Sequence, residues 1–455
     1  MAGIVPDIDP GQVSGGDAGG SGGGSTPVES APQLDDFVTE EGGALAEAFG
    51  EHLVAGNLIV HKYQPGPPPS SIFTVALGVG EWDSAVKVWY AGEELSASPD
   101  GSTAGYHFHP GNISTGISDP TQGVDSFLPA GLAYSGTANV VIKLPENRAV
   151  EDRPDKMRGR FKCKKVWDYD GNGTQLTFGY STNAANIAVD RVRRYYEQKF
   201  YYDLTLAYEK FRRRINWPKW IEWRDYNDTL ITWNDGTNPT RQIKRFESHV
   251  VFTEDVTLAD ALDQICASVG ALWQDDGEQI IFLTPIERSP SHHFHEGNIV
   301  AGSFGVAPRD IRERPNFMVA KFRNLDDTYL TEASIEVKRE ALIQKVGKIA
   351  SERRFPNMTY SQAQRLLERQ MRIEADNPVI CSLRGFGDSL HVLQGDYVTV
   401  SHTIPGWIYQ RCLVIDAGVD SAEKGADEVD FTLQKIDGPL YFDTDHKPVQ
   451  AAVTP

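Results

Sequence analysis

Through much of this chain apolar residues recur with a period of two, the spacing of a strand with one buried face. Val86, Val88 and Tyr90 alternate within AVKVWYAGEEL (85–95), where AGEE supplies the turn. Ala138, Val140, Ile142 and Leu144 alternate within 133–147. The run IFTVALGVG (72–80), after the Pro-rich loop QPGPPPSS (64–71), reads as a further strand. Ahead of it, Phe49, Val54, Leu58, Ile59 and Val60 form an apolar segment interrupted by Gly50 and Gly56. A Gly/Ser/Pro-rich loop is expected over 96–125, and residues 160–180 read as a hairpin, FKCKKVWDY and TQLTFGY about the turn DGNG.

Helical spacing occurs in fewer places. It begins after Ser181 or Asn183, either of which can cap a helix, and carries Ala185, Val189, Val192 and Tyr196 on to about Phe200. A second amphipathic segment is expected from about Asp203 to Ile215, ended by Pro218. Residues 245–285 predict strand, helix, hairpin in that order. Thr257 caps the helix with Asp260 in its first turn, Leu258, Leu262, Ile265 and Val269 share a face, Gly270 stops it, and DDGE turns the hairpin. Strands are expected around Phe317, Val319 and Phe322 and around Ile335 and Val337. A helix then runs from about Thr359 to Ala375, stopped at Pro378, and everything from 379 to 436 is strand and turn.

The fold class expected is therefore β-rich α+β and multidomain, with a few amphipathic helices packed on sheets. Residues 1–33, rich in Gly, Ser, Asp and Pro, read as a flexible arm. The expected domains are a first β-rich domain at 34–155, an α+β domain at 156–300 and a second β-rich domain at 301–440 that includes a helix at 359–376. A C-terminal arm follows at 441–455. Glycine (42) and proline (26) are frequent enough for many turns without implying disorder.

Composition narrows the function. No run is long and apolar enough for a membrane helix, and the N-terminus lacks the pattern of a secretory signal, so cytoplasmic synthesis is expected. Cys163, Cys266, Cys381 and Cys412 include no CxxC pair and read as structural thiols; Cys266 and Cys412 have apolar neighbours. The formal net charge of −19 excludes nucleic-acid binding through the overall field. It is compatible with simple solubility, and also with surrounding DNA without retaining it.

Candidate chemistry is sparse. Asp168, Asp170, Asn172 and Gly173 match the opening of a calcium loop, but its twelfth position is Gly179 where a bidentate Glu is needed, so a hairpin turn is the better reading. His107 and His109, and His292, His293 and His295 beside Glu296, have the HxH spacing that puts two imidazoles on one strand face, yet no further ligand lies at matching spacing. The carboxylate pairs Asp35–Asp36, Glu40–Glu41, Asp275–Asp276 and Asp326–Asp327 all fall in turn-like settings. No GxSxG, HExxH, P-loop or GxGxxG stands in the right context. A non-enzymatic protein is expected, with no cofactor, no catalytic residue and no metal ligand. The densest aromatic cluster holds Trp217, Trp220, Trp223, Tyr226 and Trp233 among arginines that include Arg213 and Arg224. Trp and Arg anchor interfaces, so a subunit contact ranks first, core second and a sugar platform third.

Several segments in order resemble the hub region of the tip-attachment proteins of lambda-like phages and the hub proteins of gene-transfer agents and baseplates. They are FGEHLVAGNLIV (49–60), VALGVGEWDSAVKVWYAGEEL (75–95), SGTANVVIKL (135–144) and the strand–helix–hairpin at 246–283. PNFMVAKFRN (315–324), QAQRLLERQM (362–371) and LQGDYVTVSHTIPGW (393–407) follow. The resemblance implies tail-tube-like β-barrel or sandwich domains and a homotrimer about the axis of a virion tail tip, assembled in the host cytoplasm. It implies that the hub closes the tail tube and opens for DNA ejection during infection. The implied partners are a distal tail protein or tail tube, a fibre or spike subunit, the tape-measure protein, and DNA passing without sequence-specific binding. Lambda-like tip proteins continue into receptor-binding parts, whereas this chain stops at Pro455, so another subunit is expected to bind the receptor. A carbohydrate-binding adhesin of the tail, or a cell-wall hydrolase, is the alternative.

Overall fold

The computed structural model describes residues 45–65, 69–97, 104–111, 136–145, 157–233, 241–252, 256–312, 314–328, 330–418, 428–441 and 443. The arm expected over 1–33, the pairs Asp35–Asp36 and Glu40–Glu41, and nearly all of 441–455 lie outside them.

The organising element is the strand Met157–Tyr169, whose thirteen residues largely alternate between buried and half-buried. One edge pairs with Trp82–Tyr90, and the other pairs first with Glu51–Val54 and then with Gln175–Tyr180. A second five-stranded sheet runs Asn57–Gln64, Ser70–Val79, Thr137–Pro145, Gly105–His109, Ser96–Ala97. The inward residues of both sheets share one core: Phe73, Val75 and Leu77 from one meet Val88, Tyr90 and Phe161 from the other. This is a sandwich; Val88 and Tyr90 face its core as the alternation predicts, but Val86 falls at a register shift in the pairing with Met157–Tyr169 and is exposed, and Ser70–Val79 is buried on both faces. Among the described residues no sheet closes into a barrel.

Helices α1 (Ala184–Lys199), α2 (Leu204–Arg214), α3 (Trp217–Asp228) and α4 (Leu258–Val269) follow. Then come α5 (Glu340–Val346) and α6 (Tyr360–Met371), the latter continuing into a π-helical turn at Arg372–Asp376. Asn183, Asp203, Thr257 and Thr359 cap α1, α2, α4 and α6 with their side chains, and Gly270 ends α4 at φ 68°. Helix α3 departs from expectation. The sequence makes Pro218 a stop, but it sits in the first turn of α3, where its missing N–H costs nothing, and Asn216 caps that helix by accepting from Lys219 N–H at 3.2 Å. Helix α5 and the strand Ala350–Arg354 were also absent from the sequence expectation; that strand lies parallel to Phe317–Arg323 in a three-stranded sheet with Glu332–Lys338.

The unit expected at 245–285 is present as Val250–Phe252, α4 and the hairpin Leu272–Asp275/Ile280–Leu283. Its strand is short and pairs with Glu47–Phe49. A six-stranded sheet contains most of the C-terminal strands, in the order His292–His295, Tyr397–His402, Trp407–Gly418, Val429–Lys435, Val379–Gly385, Gly305–Pro308. The segments interlock. Phe49 packs in the same core as α1, α3, α4 and α6, and the Arg160 guanidinium pairs with Glu51 while donating to the carbonyls of Asp327 (2.7 Å), Thr328 (3.0 Å) and Leu325 (3.2 Å).

A buried charge network ties these layers. Lys164, 3% exposed, sends its ammonium to Glu47 and Asp190, both at 2.6 Å. Glu47 also pairs with Arg191 and Arg194, and Asp190 with Arg193 at 2.6 Å. Burial alone would raise the Asp190 carboxyl's pKa, but Lys164, Arg193 and Arg194 outweigh it and hold it well below the usual carboxylate range. Removing one partner leaves uncompensated buried charge. Lys164→Met is therefore expected to lower the unfolding free energy by about 3 kcal/mol or more. The exposed Arg213→Ala should stay within about 0.5 kcal/mol of wild type. Guanidinium unfolding of both variants checks this.

Candidate assembly site

The aromatic cluster is built on α3 and the hairpin beneath it. Trp220 Nε1 donates to the Ala185 carbonyl at 2.9 Å and Trp217 Nε1 to that of Arg212 at 2.8 Å. Trp223 stacks on Phe282 at 4.9 Å. Tyr169 sits among Phe211, Trp217 and Trp220 at 5.4–6.2 Å between ring centroids. Arg224 lies over Trp220 at 4.9 Å and donates to the Tyr169 carbonyl at 3.0 Å. Trp233 is on a separate hairpin, Leu230–Trp233/Arg241–Lys244, where Arg241 covers its ring at 4.8 Å. The four tryptophans are at most 7% exposed. They are core of this single chain and cannot meet a second subunit without the chain opening, so the core alternative describes them and the interface ranking does not. Arg213 is exposed and Arg224 half-buried.

The calcium-like motif is part of the same packing. Asp170 Oδ1 accepts the backbone N–H of Asn172 and of Thr174, each at 2.8 Å, so the carboxylate closes the turn. Gly173, at φ 75°, lies against Trp217, where a Cβ would come within 2.4 Å of the indole. Asp275 and Asp276 likewise accept backbone N–H groups of their own turn. Asp326 accepts from Tyr360 N–H and pairs with Arg241, while Asp327 accepts from Thr331.

The histidine spacing has the geometry expected of a strand. His293 and His295 share a face with centroids 5.7 Å apart, and His107 and His109 do so at 6.5 Å. His293 Nδ1 is bonded to Thr399 Oγ1 at 2.9 Å and the ring stacks on Tyr409 at 4.6 Å. His402 stacks on Phe304 at 3.8 Å. Among the described residues no group of three or more His, Cys, Asp or Glu is placed to hold a metal ion. All four cysteines are buried and free, and burial pushes each thiol's pKa up.

Two exposed apolar features were not singled out in the sequence. At the corner between α1 and α2, Tyr201 (79% exposed), Tyr202 (69%) and Leu204 (64%) face solvent. At the tip of the hairpin formed by Tyr397–His402 and Trp407–Gly418, Ile404 (75%), Ile408 (82%) and Tyr409 (68%) do the same. The YYDL and TIPGWIY runs held the signal, as apolar residues that fit neither helical nor strand periodicity. Clusters of large apolar side chains left in water mark contact surfaces.

No family model matches the sequence, and no curated protein matches it. Among solved structures the chain is similar to one in the virion of a native gene transfer agent particle. The TM-score is 0.64 at 16% identity, over 93% of this chain and 92% of that one. At that identity the likeness shows a shared fold. A tail protein from Neisseria meningitidis MC58 gives TM-score 0.35 at 11% identity, covering 89% of this chain and 100% of that one. The 43 kDa tail protein of prophage MuSo2 from Shewanella oneidensis gives 0.30 at 10%, covering 86% and 97%. Scores that low do not establish a common fold.

The seam joining Glu51–Val54 to Val250–Phe252 contains two buried histidines that no sequence spacing marks. His52 Nε2 donates to the Phe49 carbonyl at 2.9 Å, and His249 Nδ1 accepts from Glu51 N–H at 2.8 Å. Burial pushes the His52 pKa down to about 4, and holds that of His249 well below the usual imidazole range. A base depressed in the folded state contributes stability that is complete above its unfolded value near 6.5 and is lost as pH falls toward the folded value. For His52 alone that loss is on the order of 3 kcal/mol. The guanidinium midpoint is expected to fall between pH 7.5 and pH 4.5, and His52→Gln to show a shallower decline.

Proposed function

We propose that this chain is a structural subunit of a phage-type tail, and that it forms the trimeric hub at the tail tip, closing the tube until DNA leaves. The observation that carries this is the fold shared with a gene-transfer-agent virion chain over nearly the whole of both molecules. A match over 93% of this chain and 92% of that one takes in far more than one common module. The subunit meets its neighbours through the α1–α2 corner and the Ile404–Tyr409 tip, the exposed apolar features whose burial would drive association. The net charge of −19 supports a bore that repels DNA instead of holding it.

The alternatives lose their sequence support. A sugar platform needs exposed indoles, and none of the nine tryptophans is among the exposed large apolar residues. A hydrolase needs a free carboxylate pair in a cleft, and Asp275–Asp276 and Asp326–Asp327 are occupied by turns and ion pairs. In this reading the chain acts by geometry.

Light scattering of the purified protein, with cryo-electron microscopy of tail ends, tests the hub directly. A threefold ring at the end of the tube is expected; a monomer absent from particles would remove the reading. Tyr201→Asp combined with Ile408→Asp should leave the far-ultraviolet spectrum unchanged and weaken assembly at least about tenfold.

A further inference from the structure

A cleft of about 900 Å³ opens between α4, α6 and the end of the strand Ala350–Arg354. His249 and Val250 form part of its wall, Trp273, Phe355 and Ile373 give it apolar surface, and Arg353, Arg354 and Arg369 bring positive charge. The two acids that line it are already used: Glu374 holds Arg353 at 3.0 Å, and Asp263 accepts from Trp273 Nε1 at 2.7 Å. A basic cleft in a chain of net charge −19 runs against the overall field.

The hydrogen bonds of this wall are incomplete in one direction. His249 is 3% exposed and its Nδ1 accepts from Glu51 N–H, so the neutral ring carries its proton on Nε2, and that N–H has no partner. The Nε–H groups of Arg353 and Arg369 are also buried without a partner. All three are donors, and a buried unmet donor costs about 1–3 kcal/mol. Such a wall is complementary to an occupant rich in acceptors. Beside it, the strand Val250–Phe252 pairs only with Glu47–Phe49, so among the described residues its second edge carries no strand. An extended peptide, with its row of carbonyls, suits both features.

The sequence carries a segment of matching chemistry close by. Asp35, Asp36, Glu40 and Glu41 flank Phe37 and Val38, and Glu41 is six residues from Glu47, the first residue of the strand that pairs with Val250–Phe252. Six extended residues reach about 20 Å. We propose that the cleft is a receptor for an extended acidic segment, and that the segment it takes is Asp35–Glu41 of the same chain. Carboxylates would meet Arg354 and Arg369, Arg353 being already paired with Glu374, and Phe37 and Val38 would cover the apolar surface. This assignment is independent of the tail role.

Disulfide trapping in the full-length chain tests it, since the four native thiols are buried. Val38→Cys is paired with Arg354→Cys, whose parent side chain is 83% exposed. Under mild oxidation the pair should cross-link within one chain, at least fivefold more than Val13→Cys with Arg354→Cys. Adding Asp35→Asn, Asp36→Asn, Glu40→Gln and Glu41→Gln should return the yield to that control level without touching the folded wall. A yield no higher than the control overturns the proposal, as does a cross-link found only between two chains, or one indifferent to the four neutralising substitutions.

Discussion

The ammonium of Lys164 is the point on which the architecture turns. It sits on the central strand Met157–Tyr169 and is held by Glu47, from the strand beside Val250–Phe252, and by Asp190, from the middle of α1. A lysine taken out of water at this depth must have both carboxylates, and each carboxylate in turn needs its arginines. The result joins sandwich, α1 and the N-terminal strand through charges that tolerate little displacement. Phe49 lies over the same ammonium at 4.6 Å, so the apolar core and the charge network share one boundary. Arg160, four residues earlier on the same strand, extends the connection to the loop at Leu325–Thr328.

This rigidity suits a subunit that works by position. The aromatic cluster reinforces it, with indole N–H groups of Trp217 and Trp220 spent on backbone carbonyls and the Asp170–Gly173 turn seated against Trp217. Among the described residues the most exposed large apolar side chains fall at the α1–α2 corner and the Ile404–Tyr409 tip, where a chain assembling with others, as proposed, has reason to leave them. The fold shared with a virion chain and these surfaces are separate observations behind the proposed role.

Much of the local structure was legible because its causes are local. The hairpin about DGNG, the cap at Thr257, the choice of Ser181 or Asn183 before α1, and the stop at Gly270 depend on residues within a few positions of one another. Pro218 misled because proline forbids a helix interior but suits a first turn, and only the cap at Asn216 tells the two apart. The parallel strand Ala350–Arg354 was hidden because it is polar and short, and its partner Phe317–Arg323 is about thirty residues earlier in the chain. The tryptophans misled for a different reason: composition says that a Trp–Arg cluster will be buried, but not whether by its own chain or by another.

By itself the sequence determined the β-rich class, the order of most strands and helices, the capping chemistry and the absence of a recognisable catalytic motif, because periodicity and turn residues act over short range. Only the tertiary structure decided which charges are neutralised in the core, that the indoles are inside, that His249 keeps an unmet N–H beside a basic cleft, and which apolar residues remain in water. Those outcomes depend on contacts between residues far apart in the chain, such as Glu47 with Lys164 or Glu51 with His249, and nothing in local spacing encodes them.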